Sequence, residues 1–205
     1  PILLSGEEDV PNDAIALIAI DRYPEGDRPM RGHILRILGN RGDMQARLKV
    51  IAEDHAFSTE FPSEVEAQCA RLENAPDGFG GANREDLRGL TAFTIDGPFS
   101  KDFDDAVSLE RLPDGWRLGV HIADVSHYVL PGSPIDREAL RRGTSLYLPG
   151  LTVPMLPEIL SNDLCSLMPD ADRLALSLFM VVRDGKVVDH HLCRSVIHSH
   201  ARLTY

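Results

Sequence analysis

The 205-residue chain is 43% apolar with a net charge of −11, which gives enough apolar matter for a packed core but little basic surface for gripping phosphates. No apolar run approaches the ~20 residues that span a bilayer, which excludes a transmembrane helix. Cys69, Cys165 and Cys193 are widely spaced and form no CxxC pair, which implies reduced thiols and a cytoplasmic setting.

The acidic balance argues only weakly against a nucleic-acid partner, because carboxylates gathered to hold a divalent cation count as negative until the metal offsets them. The length suits one full domain plus part of another. Pro1-Ile2-Leu3-Leu4 lacks both an initiator Met and a basic leader, and Leu203-Thr204-Tyr205 stops inside a strand pattern. Both ends therefore read as cut ends of a longer chain.

Residues 1–43 are rich in Gly, Pro and short apolar runs. Ala14–Ile20 and Gly32–Leu38 read as strands parted by the turn-forming stretch Tyr23–Pro29. Met44, Leu48, Ile51, Ala52 and His55 recur at helical spacing, and a second helix begins at Pro62 with Val65, Cys69 and Leu72 on one face. Ala75–Asn83, with Pro and three glycines, reads as a linker. Beyond it the pattern turns to strands. Leu90–Ile95 enters Asp96, and Ala106–Arg111 and Trp116–Ile122 flank the hairpin signal Pro113-Asp114-Gly115. Ser133 and Pro134 open a short helix that Gly143 closes, and Leu156–Asn162 reads as a further helical turn. Leu174–Arg183 and Lys186–Tyr205 form a second hairpin about Asp184-Gly185. The predicted class is α+β: a mostly antiparallel sheet or barrel with short helices over 84–205, a helical linker region over 44–83, and a small partial β-barrel over 1–43.

Four carboxylates, Asp96, Asp102, Asp104 and Asp105, fall within ten positions, interrupted by Gly97-Pro98 and flanked by apolar strand residues. Carboxylates this close repel unless a cation neutralises them, and hard oxygen ligands suit Mg²⁺ or Mn²⁺. Two such ions ~4 Å apart could activate a water and stabilise a departing 3′-oxygen, or one carboxylate could orient that water. A regular strand would point Asp104 and Asp105 to opposite faces, so a bend or bulge is expected near Phe103–Asp105. An EF-hand is disfavoured, since its central Gly and terminal Glu are missing. Spacing alone leaves a solvated acidic loop and a catalytic metal site both open.

The sequence around the cluster narrows this. Asp86-Leu87-Arg88, Thr94-Ile95-Asp96 and Lys101-Asp102-Phe103-Asp104-Asp105-Ala106 resemble the catalytic-domain signature of the ribonuclease II / ribonuclease R family. The resemblance runs on through Gly119–Val129, Arg142–Ser145 with Tyr147-Leu148-Pro149, Pro154–Glu158, Leu160-Ser161-Asn162, Leu164–Leu167 and Ala201–Tyr205. It implies an RNB catalytic domain, N-terminal part, that hydrolyses single-stranded RNA processively from the 3′ end to nucleoside 5′-monophosphates with Mg²⁺. By motif position, Asp96 and Asp105 would be direct metal ligands, Asp102 would complete the site, and Asp104 would matter most to catalysis. Tyr147 would stack on a base near the 3′ end, a sequence-tolerant contact. Residues 10–75 more loosely resemble the end of a cold-shock domain and its linker, through Asp21-Arg22-Tyr23-Pro24 and Leu38-Gly39. The family's further catalytic arginine and its S1 domain would lie beyond Tyr205. Two other classes stay in view: a catalytically silent RNA-binding relative and a DNA-directed metallonuclease. No obligate protein partner is implied.

Other chemistry-bearing residues read as structural. His190, His198 and His200 share one face of a strand and His191 and Cys193 the other, so the five do not surround one point as zinc ligands must. His121 and His127 are expected to make structural hydrogen bonds, and Cys165 to be buried and inert. Asp124 has no task that the sequence reveals.

Overall fold

The computed structural model describes residues 2–5, 10–73 and 83–205. The linker expected at Ala75–Asn83 lies outside the described residues except for Asn83. The elements run β1 (Ile2–Leu4), β2 (Ala14–Arg22), β3 (Met30–Asn40), α1 (Met44–Asp54), α2 (Ser63–Glu73), β4 (Glu85–Asp96), β5 (Asp105–Leu112) and β6 (Gly115–Ala123). There follow α3 (Val125–Tyr128), α4 (Pro134–Arg142), β7 (Leu146–Leu148), β8 (Leu151–Val153), a π-helical turn at Leu160–Leu164, β9 (Asp172–Arg183) and β10 (Lys186–Thr204). They form two compact units, residues 1–60 with 145–153 and residues 61–144 with 154–205. The chain is α+β, as its patterning indicates.

In the first unit β3 is central, pairing antiparallel with β2 and parallel with β1. Asp43 caps α1 by accepting from the Gln45 N–H at 2.9 Å. Ala46, Leu48 and Ala52 then turn into the core beside Leu38. Gly39 lies against α1 so closely that a Cβ would meet the Ala46 Cβ at 2.8 Å, and its φ of 138° suits only glycine. The β7–β8 hairpin joins this unit through Gln45, whose side-chain amide donates to the Gly150 carbonyl at 2.8 Å.

The second unit is a closed five-stranded barrel in the order β10-β4-β5-β6-β9. Its pairs are antiparallel except the closing one, β10 beside β4, which runs parallel. Asp184-Gly185 forms the two-residue turn between β9 and β10, both residues at positive φ, as the Asp-Gly signal predicts. In α4 the Ser133 hydroxyl accepts from the Asp136 N–H and Gly143 ends the helix in the left-handed conformation. The helical turn expected at Leu156–Asn162 sits slightly later, at Leu160–Leu164.

Five strands enclose little space, so the inward positions are small and often polar. Ala92 and Thr94, Ala106 and Ser108, His121 and Ala123, Ala175 and Ser177, and Ser195, Ile197 and Ser199 alternate inward along the strands, and all are buried. The bulkier Trp116 and Ile122 of β6 face outward. At Gly119 a Cβ would lie 2.3 Å from the Ser108 hydroxyl oxygen, so nothing larger fits. Several of the interior polar groups bond one another, while the Thr94 hydroxyl is buried with no partner among the described residues. His121 Nε2 lies 3.0 Å from the Ser108 hydroxyl and Nδ1 lies 2.7 Å from that of Ser177, which meets the Ser195 hydroxyl at 2.6 Å.

His121 is fully buried, and that desolvation lowers its pKa to about 4. The unfolded chain therefore takes up this proton near its ordinary pKa of ~6.5 while the folded chain resists until about pH 4. The stability this residue contributes is present above pH ~6.5 and is lost as pH falls towards 4, by roughly 3 kcal/mol. Urea unfolding across that range checks this expectation, and His121→Gln should flatten the profile. Equal slopes in the two proteins would contradict it.

Candidate functional site

Strand β4 delivers Asp96 at its end, and β5 begins at Asp105. The ladder between these strands stops at Phe93↔Val107, so residues 97–104 leave the sheet as an irregular loop. The bend expected near Phe103–Asp105 takes this form instead of a bulge within a strand. Gly97-Pro98 starts it, with the Ser100 N–H donating to the Gly97 carbonyl at 3.1 Å.

Phe103 is the loop's anchor. Its ring is buried in the core among Val65, Ile135, Leu160, Cys165 and Leu167. Burial of a residue flanked by two aspartates leaves Asp102 half-buried and Asp104 exposed on either side of it. The backbone around it is pinned from several directions. The Ser166 hydroxyl donates to the Lys101 carbonyl at 2.8 Å and accepts from the Phe103 N–H at 3.1 Å. The Leu167 N–H donates to the Phe103 carbonyl and the Ala123 N–H to the Asp104 carbonyl, each at 2.9 Å. From β10, Arg202 donates to the Gly97 carbonyl at 2.8 Å while its guanidinium lies 5.3 Å from the centre of the Phe103 ring. One side chain thus holds both ends of the loop.

This gathers the four aspartates into one electrostatic neighbourhood. Partial desolvation raises the Asp104 pKa above the usual carboxylate range, and the charges of Asp102, Asp105 and Asp96 raise it further. Asp96 carries a second sign of an unmet demand, since its Oδ2 is buried without a hydrogen-bond partner among the described residues. The carboxylates are neighbours that do not converge on one point: among the described residues, no three of them bring one oxygen each within 4.8 Å of the others. An all-oxygen donor set around a half-buried floor matches a hard divalent cation such as Mg²⁺.

The remaining sequence candidates fall elsewhere. Tyr147 lies on β7 in the first unit and is 65% exposed. Cys165 is buried in the core, and that burial pushes its thiol up to about 12, which leaves it inert at neutral pH. Asp124 gains a task. It pairs with Arg84 at 2.6 Å, both side chains nearly inaccessible, and accepts from the Ser126 hydroxyl at 2.6 Å. Burial pushes its carboxyl up, but Ser126, Arg84 and the charge of Arg194 together hold it below the usual range. Sequence reasoning assigned nothing to Ser166 or Arg202. The available signal was a polar residue inside an apolar motif, Cys165-Ser166-Leu167, and a lone arginine at the end of a strand that closes beside Asp96.

Comparison with known proteins adds to this geometry. Residues 84–205 match the family model described as RNB domain, and residues 2–62 match the one described as Cold shock domain. The chain is 44% identical over 187 residues to the ribonuclease R of Chlamydia trachomatis, covering 90% of this chain and 27% of that protein. It is 42% identical over 193 residues to the ribonuclease R of Escherichia coli K12, covering 93% and 24%. It superposes on Mycoplasma genitalium RNase R, solved in complex with ribose methylated single-stranded RNA, with a TM-score of 0.83 and 33% identity, over all of this chain and 32% of that one. The chain spans about a quarter of the length of the curated relatives it matches.

Proposed function

The chain belongs to the RNB-domain family of ribonuclease II and ribonuclease R type exoribonucleases, and from that premise we propose that it serves a protein that shortens single-stranded RNA processively from the 3′ end. The products are nucleoside 5′-monophosphates and the cofactor is Mg²⁺, with Mn²⁺ as a substitute. The observation that carries this reading is the gathering of Asp96, Asp102, Asp104 and Asp105 about one pinned loop, with Asp96 Oδ2 left without a partner among the described residues.

By kind, carboxylate oxygens suit the ion. Asp96 and Asp105 would hold it directly and Asp102 would complete the site. Bound there, Mg²⁺ supplies positive charge to the phosphate oxygens and to the leaving 3′-oxygen. The protein's own part is positional. Asp104 accepts a hydrogen bond from the attacking water and orients it towards phosphorus. As the water oxygen bonds to phosphorus, the bond from phosphorus to the 3′-oxygen breaks. The water gives up a proton to solvent, and the departing oxygen takes one from solvent to become the 3′-hydroxyl of the shortened strand. Ser166, Leu167, Ala123 and Arg202 fix the loop backbone, so the carboxylates do not have to be ordered anew in each cycle. Tyr147 offers a ring for stacking on a base without regard to sequence. Residues 1–43 would add a cold-shock-type surface for the strand. The free thiols fit a reducing cytoplasmic setting, and no helix among the described residues is long and apolar enough to cross a membrane.

The test uses the intact protein, Mg²⁺ and a single-stranded RNA labelled at its 5′ end. The expected result is stepwise shortening from the 3′ end with release of mononucleotides, stopped by a chelator and restored by Mg²⁺ or Mn²⁺. RNA that is bound but never cut would identify a silent relative, and equal cleavage of DNA would overturn the RNA preference.

A further inference from the structure

At the opposite end of β4 from Asp96 stands a second group of potential ligands. Glu85 opens the strand, and the neighbouring β10 runs parallel to it, pairing Ser195 with Glu85. His191 and Cys193 are two residues apart on β10 and so share a face. The Glu85 carboxylate, a ring nitrogen of His191 and the Cys193 sulfur all lie within 4.8 Å of one another. His191 Nε2 is 2.7 Å from Glu85 Oε1, and the Cys193 thiol also bonds Glu85. The His191–Cys193 pair gains its third member, Glu85, from another strand, which alternation along β10 could not reveal.

We propose that Glu85, His191 and Cys193 form a zinc-binding site separate from the acidic centre. A nitrogen, a sulfur and an oxygen make a borderline-soft set that favours Zn²⁺ and that Mg²⁺ disfavours. Three protein ligands leave one tetrahedral position for water or an added anion. An ion can reach them, since the side chains of His191 and Glu85 are 61% and 48% exposed. Glu85 and His191 also border a cavity of about 210 Å³ that includes Asp189, His190 and Arg117, which gives the fourth ligand room. The site is distinct from the aspartates: Glu85 and Asp96 stand at opposite ends of the 12-residue strand β4. Stability alone gives little reason for the grouping, because an exposed His–Glu pair contributes little and needs no thiol beside it.

Cobalt(II) reports on this site, because a thiolate ligand gives it an intense charge-transfer absorption that oxygen ligands do not. The untagged intact protein, stripped with a chelator and supplied with excess Mg²⁺ to occupy the acidic centre, is titrated with Co²⁺ and then with Zn²⁺. The expected result is one equivalent of cobalt with the thiolate band and a tetrahedral visible spectrum, displaced by zinc. Cys193→Ser should abolish the band, while His191→Ala and Glu85→Gln should each weaken binding at least about tenfold. Circular dichroism matching the parent shows that loss of the band is not loss of fold. Absence of the band at saturating cobalt, or its survival in Cys193→Ser, would each overturn the proposal.

Discussion

Replacing Asp104 by asparagine is expected to lower the rate of RNA shortening on the order of 10³-fold, the scale of losing one positioned acid–base group. The asparagine side chain is nearly isosteric with the carboxylate, so the backbone contacts that hold the loop stay in place: the carbonyl of residue 104 keeps its bond from Ala123, and Phe103 keeps its seat in the core. What disappears is the charge. The pKa of Asp104 is raised by partial desolvation and by Asp102, Asp105 and Asp96, so its ionised form is held against the preference of its surroundings. Neutralising it relieves repulsion, and the melting temperature of the chelator-treated variant should equal or exceed that of the parent. Single-turnover kinetics on 5′-labelled RNA together with RNA-binding titrations separate the two effects: the rate should collapse while affinity holds. An unchanged rate would remove Asp104 from the mechanism. A collapse matched by lost affinity would make it a binding residue instead.

The asymmetry between charge and packing explains what the sequence made legible. Four aspartates in ten positions, a Gly-Pro break and strand-like flanks announce a loop loaded with like charge, because these are local facts about neighbours in the chain. The same holds for α4, whose Ser133 cap, Pro134 and Gly143 are local signals of the same kind, and for the turn at Asp184-Gly185. Contacts between distant segments escape such reading. The parallel closure of β10 on β4 makes Arg202 a neighbour of Gly97 and Glu85 a neighbour of His191, across 105 and 106 residues. The barrel interior misleads for a related reason. Periodicity marks two faces of β6, but hydrophobicity would send Trp116 and Ile122 inward, whereas a five-stranded barrel has room only for Gly119, His121 and Ala123. The width of the barrel, which no single strand encodes, decides which face is core.

The same distance in sequence gives Arg84 its leverage. Its guanidinium reaches Asp124 at 2.6 Å with side-chain exposures of 7% and 6%, and also donates to the Ser195 carbonyl of β10 at 3.4 Å. Arg84→Met leaves the Asp124 carboxylate buried with, among the described residues, only the Ser126 side chain bonded to it and the charge of Arg194 nearby. Breaking one side of such a pair is expected to cost ~3–5 kcal/mol, or on the order of 10 °C in melting temperature. The double variant Arg84→Met with Asp124→Leu should recover most of that loss, because it removes the stranded charge along with its partner. Asp124 directly follows Ala123, whose N–H holds the Asp104 carbonyl, so the first consequence should be local. Hydrogen exchange at the Ala123 amide should speed up in Arg84→Met under conditions where the rest of the barrel stays protected. Uniform acceleration across β4, β5 and β6 would instead mean that the pair supports the barrel as a whole and has no particular hold on the acidic loop.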